Sequence, residues 1–165
     1  MTQFIKLEEE LKKIIEENTK EFVLDLHPDY ETEPRAPVVV IGNQSREILH
    51  GIIPCIIIKT PSGKNTLLER LLTITVDTVI YDTNTSKAYK TLYEIMEKIS
   101  TAIIEKGIIL NKFEISPAYE WNISDEETYP YWAGSLNFHI VTRNNYRTDV
   151  DNFILEESDW RTNGK

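Results

Sequence analysis

The sequence predicts an α+β fold: an antiparallel sheet of about four to five strands with helices packed on one face, an N-terminal helix plus one long helix. Three stretches carry this reading. Tyr131 to Arg143, YWAGSLNFHIVTR, alternates over its thirteen residues. Trp132, Leu136, Phe138 and Ile140 point one way with Gly134 and Thr142, and the intervening residues point the other. Leu68 to Tyr81 alternates in the same manner, with Leu72, Ile74, Val76 and Ile80 on one face and Thr73, Thr75 and Asp77 on the other. Between them, a helical stripe of Tyr89, Leu92, Tyr93, Met96, Ile99, Ile103 and Ile104 recurs at spacings of three and four and is expected to cover the apolar sheet face. Residues 1–145 read as a single α+β domain and residues 146–165 as an acidic C-terminal arm or tail.

Taken in order, Phe4, Leu7, Leu11, Ile14 and Ile15 define a helix over residues 4–18. Glu8 and Glu9 precede Lys12 and Lys13 by four residues, the favourable order for ion pairs on its wet face. Phe22, Leu24 and Leu26 suit a short strand, and the proline-punctuated HPDYETEPRAP after them an extended loop. Val38 to Ile41 is a β-branched strand ended by Gly42-Asn43, and residues 43–51 fit either a loop or one helical turn. Ile52 to Lys59 is the next strand, with Pro54 marking an edge or a bulge. TPSGKN reads as the turn of a hairpin leading into 68–81. Thr85 or Ser86 is the expected cap of the long helix, and Gly107 its stop. Ile108 to Ile115 and Tyr119 to Ile123 are strand-like, and the polar turn ISDEETYP hands the chain to the long strand at 131.

Composition narrows the function. Hydrophobic residues make up 41 % of the 165, enough for a core without staples. The lone cysteine, Cys55, allows no internal disulfide, and its apolar surroundings suit a buried inert thiol. The opening MTQFIKLEEELKK lacks a basic start followed by an apolar core, so no leader is expected, and no apolar run approaches the ~18 residues of a membrane span. A net charge of −9 argues against a nucleic-acid groove, which needs clustered Lys and Arg.

No chemical motif stands up. SGKNT resembles the end of a phosphate loop, but the first-glycine position holds Ile58, the Ser/Thr position holds Asn65, and a strand follows instead of a helix. His27, His50 and His139 have no ligand spacing. Asp125, Glu126 and Glu127 read as a polar turn, without the alternation of a calcium loop. No glycine pair flanks a serine as a nucleophile elbow would require. No catalytic, cofactor-binding or metal residue is expected, and no cofactor. The aromatic run YPYW at 129–132 suits either a core edge or an interface.

The order helix, proline-rich loop, strand, hairpin, long helix, two strands, with ITVDTVIYDTN before the long helix and YWAGSLNFHIV after it, resembles the small neck and tail-completion proteins of long-tailed bacteriophages, the tail-terminator group in particular. The resemblance spans about residues 1–145 and its motifs are structural. It implies a virion structural protein, present in the host cytoplasm during assembly. Its partners would be copies of itself in a ring, commonly a hexamer, together with the tail tube protein and head-completion or connector proteins. DNA would pass through without specific binding, and no membrane is involved. Residues 145–165 are longer and more acidic than that fold requires. Tyr129, Tyr131, Asn137, His139, Arg143, Phe153 and Trp160 are the expected interface residues. Three other readings stay open: another neck or head–tail connector protein, a non-viral cytosolic protein-binding module, and an enzyme with a site assembled from His139, Asp77 and neighbours.

Overall fold

A computed structural model describes residues 2–30, 33–124 and 128–143. The elements are α1 (Gln3–Thr19), β1 (Val38–Ile41), α2 (Arg46–Ile52), β2 (Cys55–Asn65), β3 (Glu69–Tyr81), α3 (Thr85–Lys106), β4 (Ile108–Ile109), β5 (Phe113–Ile115), β6 (Glu120–Ile123) and β7 (Tyr131–Arg143). The mixed α and β composition is as the sequence predicts, but the sheet is larger and is mixed. Among the described residues it has seven strands in the order β1-β2-β3-β7-β5-β4, with β6 also paired to β7. β1 lies parallel to β2, Val38 opposite Cys55 and Ile41 opposite Ile58. Residues 42–54, which include α2, make the long connection that parallel neighbours need. Every other pairing is antiparallel.

Alternation sorts the sheet into two faces. The even-numbered residues of β2, β3 and β7 (Ile56, Ile58, Leu72, Ile74, Val76, Ile80, Leu136, Phe138, Ile140) are buried with Phe113 and Ile115 of β5. Against them lie Leu7, Leu11, Ile14 and Ile15 of α1 and Ala88, Leu92, Ile95, Met96, Ile99 and Ile103 of α3. A fully buried side chain of this size contributes roughly 1.5–3 kcal/mol, so this layer supplies most of the cohesion. Gly134 sits beneath Met96: a Cβ there would overlap the Met96 sulfur, so the bare backbone lets that side chain rest on the strand.

Several local expectations are corrected. α3 is capped by Asn84, one residue before the predicted cap: its side chain accepts a hydrogen bond from Lys87 N at 3.1 Å, while Asp82 Oδ1 accepts from Asn84 N at 2.9 Å. Gly107, at φ 66°, ends it as predicted. The buried stripe of α3 runs through Ala88, Ile95 and Ser100, while Tyr89 and Tyr93 lie on the exposed flank, because at 3.6 residues per turn they fall beside Glu97 and not beside Leu92 and Ile99. TPSGKN is not a turn. β2 runs through it to Asn65, with a register shift between Lys59 and Ser62 at Pro61, where a proline is tolerated. The hairpin turns at Thr66–Leu68, where the Thr66 hydroxyl accepts from Glu69 N at 3.0 Å. Of the 22–26 strand only a single bridge forms, Leu24 to Arg35. The 108–115 strand is divided into β4 and β5 by a turn with positive φ at Leu110 and Asn111. On α1, Lys12 pairs with Glu16 and Lys13 with Glu10 instead of Glu8 and Glu9, and Glu8 accepts from the Thr60 hydroxyl at 3.2 Å.

The helices are not all on one face. α1 and α3 share one, but Leu49 and Ile52 of α2 pack on the other, against Ile53, Cys55, Ile57, Val79, Tyr81 and Tyr131. Arg35 secures this corner: its guanidinium donates to the carbonyls of Ala36 and Pro54 at 3.0 Å each and of Ile52 at 2.8 Å. The Ile53–Pro54 and Tyr129–Pro130 peptide bonds are cis.

Two stability tests follow from the core. Phe138→Ala should cost about 3–5 kcal/mol in urea unfolding, the range for emptying a packed aromatic site. Thr78 is fully buried on the helix-facing side, and its hydroxyl finds no partner among the described residues. Thr78→Val keeps the shape and removes the unpaired group, and should raise stability by about 1 kcal/mol in the same measurement.

Candidate interaction surface

β7 occupies the Tyr131–Arg143 limits read from the sequence and pairs with β3 from Glu69↔Arg143 to Tyr81↔Tyr131. The odd-numbered residues of both strands point away from α1 and α3. Four of the expected interface residues, Tyr131, Asn137, His139 and Arg143, therefore share one face. Among the described residues no helix covers the part of this face bounded by Thr73, Asp77, Ser135 and His139. The polar side chains there satisfy one another in pairs. Ser135 Oγ donates to Asp77 Oδ1 at 2.6 Å, and the other Asp77 oxygen meets Lys59 Nζ at 3.2 Å. Thr75 Oγ1 donates to Asn137 Oδ1 at 3.2 Å. His139 Nε2 lies 2.8 Å from Glu120 Oε2 of β6, and the imidazole is 47 % exposed. Glu69 stands opposite Arg143 at the far end.

The register bears on the enzyme reading. Asp77 is opposite Ser135 and His139 is opposite Thr73, four residues further along, or about 13 Å at the usual strand rise. Each is engaged with a different partner, so the two are not brought together. Among the described residues no group of three His, Cys, Asp or Glu side chains is arranged to hold a metal.

At the opposite end of the face is a feature the sequence reading missed. His27, Tyr30, His50 and Tyr81 gather around Tyr131. His27 stacks on Tyr131 at 6.3 Å and meets Tyr81 edge-on at 5.3 Å, and His50 meets Tyr131 edge-on at 5.6 Å. Burial, reinforced by Tyr30, Tyr81 and the Asp29 carboxylate, raises the Tyr131 phenol above its ordinary value, so the ring stays neutral. No spacing links positions 27, 50, 81 and 131. Only the register Tyr81↔Tyr131 could have flagged two of them, and the histidines arrive by tertiary packing. Tyr131 is thus largely committed inside the chain.

Tyr129 lies apart from these. Its hydroxyl donates to Thr83 O at 3.2 Å and its ring meets Trp132 edge-on, while Trp132 Nε1 donates to Asp82 O at 2.9 Å. The pair therefore ties the start of β7 to the turn before α3, although Tyr129 remains 60 % exposed. Phe153, Trp160 and the Asp125–Glu127 acids lie outside the described residues, as does the 146–165 arm. The β2–β3 turn carries an exposed apolar tip, with Leu67 and Leu68 54 % and 62 % exposed. No described helix is long and apolar enough to cross a membrane. No family model matches the sequence, and no curated protein does.

Cys55 is fully buried in the small cluster beneath α2. Burial pushes its thiol up to about 12, with the Arg35 guanidinium pulling slightly the other way. The thiolate is the reactive form, so alkylation by iodoacetamide at pH 8 should run more than ~100-fold slower in the folded protein than in urea. Equal rates would show that the thiol is accessible.

Proposed function

We propose that this chain is an assembly protein of the phage neck, a tail terminator that closes into a ring at the end of the tail tube and joins it to the head. The observation that supports it is the bare β3–β7 face: Asn137, His139 and Arg143 share one face of β7, which pairs with β3 over thirteen residues, with no described helix over them. The edges of the sheet are poor alternatives for contact. β1 and β6 have four residues each and β4 has two, and the longer open edge, β2 beyond Ile58, is interrupted by Pro61, so few backbone groups are offered for pairing. A broad face set with charged and amide groups suits contact between like subunits in a fixed register. The exposed Leu67–Leu68 tip gives each subunit an apolar finger for its neighbour. Six subunits is the expected count. The ring would stand between the tail tube protein and head-completion or connector proteins, in the virion and, during assembly, in the host cytoplasm. The net charge of −9 suits a channel through which DNA slides without being held.

Light scattering of the purified protein, alone and with tail tube protein, tests this. A closed oligomer is expected, and Arg143→Glu should shift it towards monomer while the circular dichroism of the folded chain is retained. A strict monomer at every concentration, with no assembly on addition of tail tube protein, would overturn the proposal.

A further inference from the structure

A small cleft opens on the helix-bearing side of the sheet, where α3 passes β6. Its floor is apolar, made by Met96 and Leu136. Tyr93 and Trp121 form one corner, their rings 5.1 Å apart and 77° to one another. Both are exposed, at 39 % and 49 %. Tyr119, stacked on Phe138 at 5.4 Å, closes another side. At the rim stands Glu97, whose carboxylate forms no ion pair among the described residues, beside the buried Ser100. Ser100 Oγ donates its proton to Glu97 O at 3.0 Å, which leaves its lone pairs free to accept. The volume is about 160 Å³, below the roughly 300–1,000 Å³ of sites that hold cofactors or drug-sized ligands. It is the size for one side chain.

The lining dictates the occupant. Aromatic faces attract cations through the ring quadrupole. A carboxylate and a hydroxyl oxygen, with no cation among the lining residues, add acceptors and leave the site without a donor of charge. A guanidinium meets all of these at once: it is planar, weakly hydrated, stacks on aromatic rings and offers several N–H groups to a carboxylate. Lysine's compact, strongly hydrated ammonium gains less from the corner of two rings. The chain's net charge of −9 further favours a basic visitor. We infer that the Tyr93–Trp121–Glu97 cleft is a docking socket for a single arginine side chain on a partner protein. The socket lies on the face opposite the bare β3–β7 surface, so it stands whether or not the ring reading holds. It would serve a contact separate from that surface.

The test uses the full chain and three short peptides, acetyl-Gly-Arg-Gly-amide and its lysine and norleucine counterparts, followed by two-dimensional NMR. The arginine peptide should shift the Trp121 indole and the Glu97 and Ser100 amides saturably, with a Kd on the order of 10–100 mM, as expected for one cation–π contact and one exposed ion pair. Glu97→Gln should weaken binding several-fold and Trp121→Ala should abolish it. Both positions are exposed, so the rest of the spectrum should be retained, and that is read in the same experiment. Equal binding of the norleucine peptide would reduce the cleft to a nonspecific apolar one and overturn the inference. So would binding by the lysine peptide as tight as arginine's, indifference to Glu97→Gln, or the absence of saturable shifts at these resonances.

Discussion

β3 and β7 pair along their whole length, from Glu69 opposite Arg143 to Tyr81 opposite Tyr131, without a bulge. Because side chains alternate, a one-residue slip would turn Leu136, Phe138 and Ile140 outward and bring Asn137 and His139 under α3. The register is therefore held by the whole core at once. β2 takes its place from β3, β1 from β2, and β5 and β6 share the free side of β7. α3 can pack only where this pair presents its apolar rows, and α1 packs beside it on the same layer.

The same pairing creates the second face with its two unlike ends. Near Tyr131 the odd-numbered residues are apolar or aromatic, and α2 and the His27–Tyr30 segment close over them. Further along, those residues turn polar: Asp77, Thr75 and Thr73 on β3, and Ser135, Asn137 and His139 on β7. No apolar surplus draws a helix there. One strand pair thus builds a core wall, a small second core and an open polar surface.

Much of this was legible where periodicity is strong. The limits of β7, the helix-facing rows of both long strands and the stop at Gly107 follow from alternation and turn chemistry. What escaped depends on contacts distant in sequence. TPSGKN carries the composition of a turn, yet pairing with Leu71, Leu72 and Thr73 keeps Ser62–Lys64 extended. Tyr89 and Tyr93 lie close enough to the helix stripe to pass for core, but Tyr93 meets Trp121, a residue on β6, and Tyr89 packs beside Tyr93. The parallel β1–β2 pair could not be read from VVVI, because direction is set by the connection through α2 and not by the strand. The Arg35 clamp on three carbonyls has no sequence signature at all.

The chemistry of the bare face bears on what kind of contact it can make. Asp77, Lys59 and Ser135 already satisfy one another, as do Thr75 and Asn137, and His139 and Glu120. A partner need not supply the missing halves of these pairs, and burying them intact avoids leaving a lone charge out of water. The converse is that they add little attraction of their own, since exposed pairs contribute about 0–1 kcal/mol each. Affinity must then come from apolar groups at the margins: Leu71 and Val141 beside the polar rows, and Leu67 and Leu68 at the hairpin tip. The polar rows fix register and orientation, because a shifted neighbour would set His139 or Arg143 against the wrong charge. An interface of this composition is specific without being tight per subunit pair. That is the balance the proposed ring would need, where each subunit would be held from two sides and errors would have to dissociate before closure.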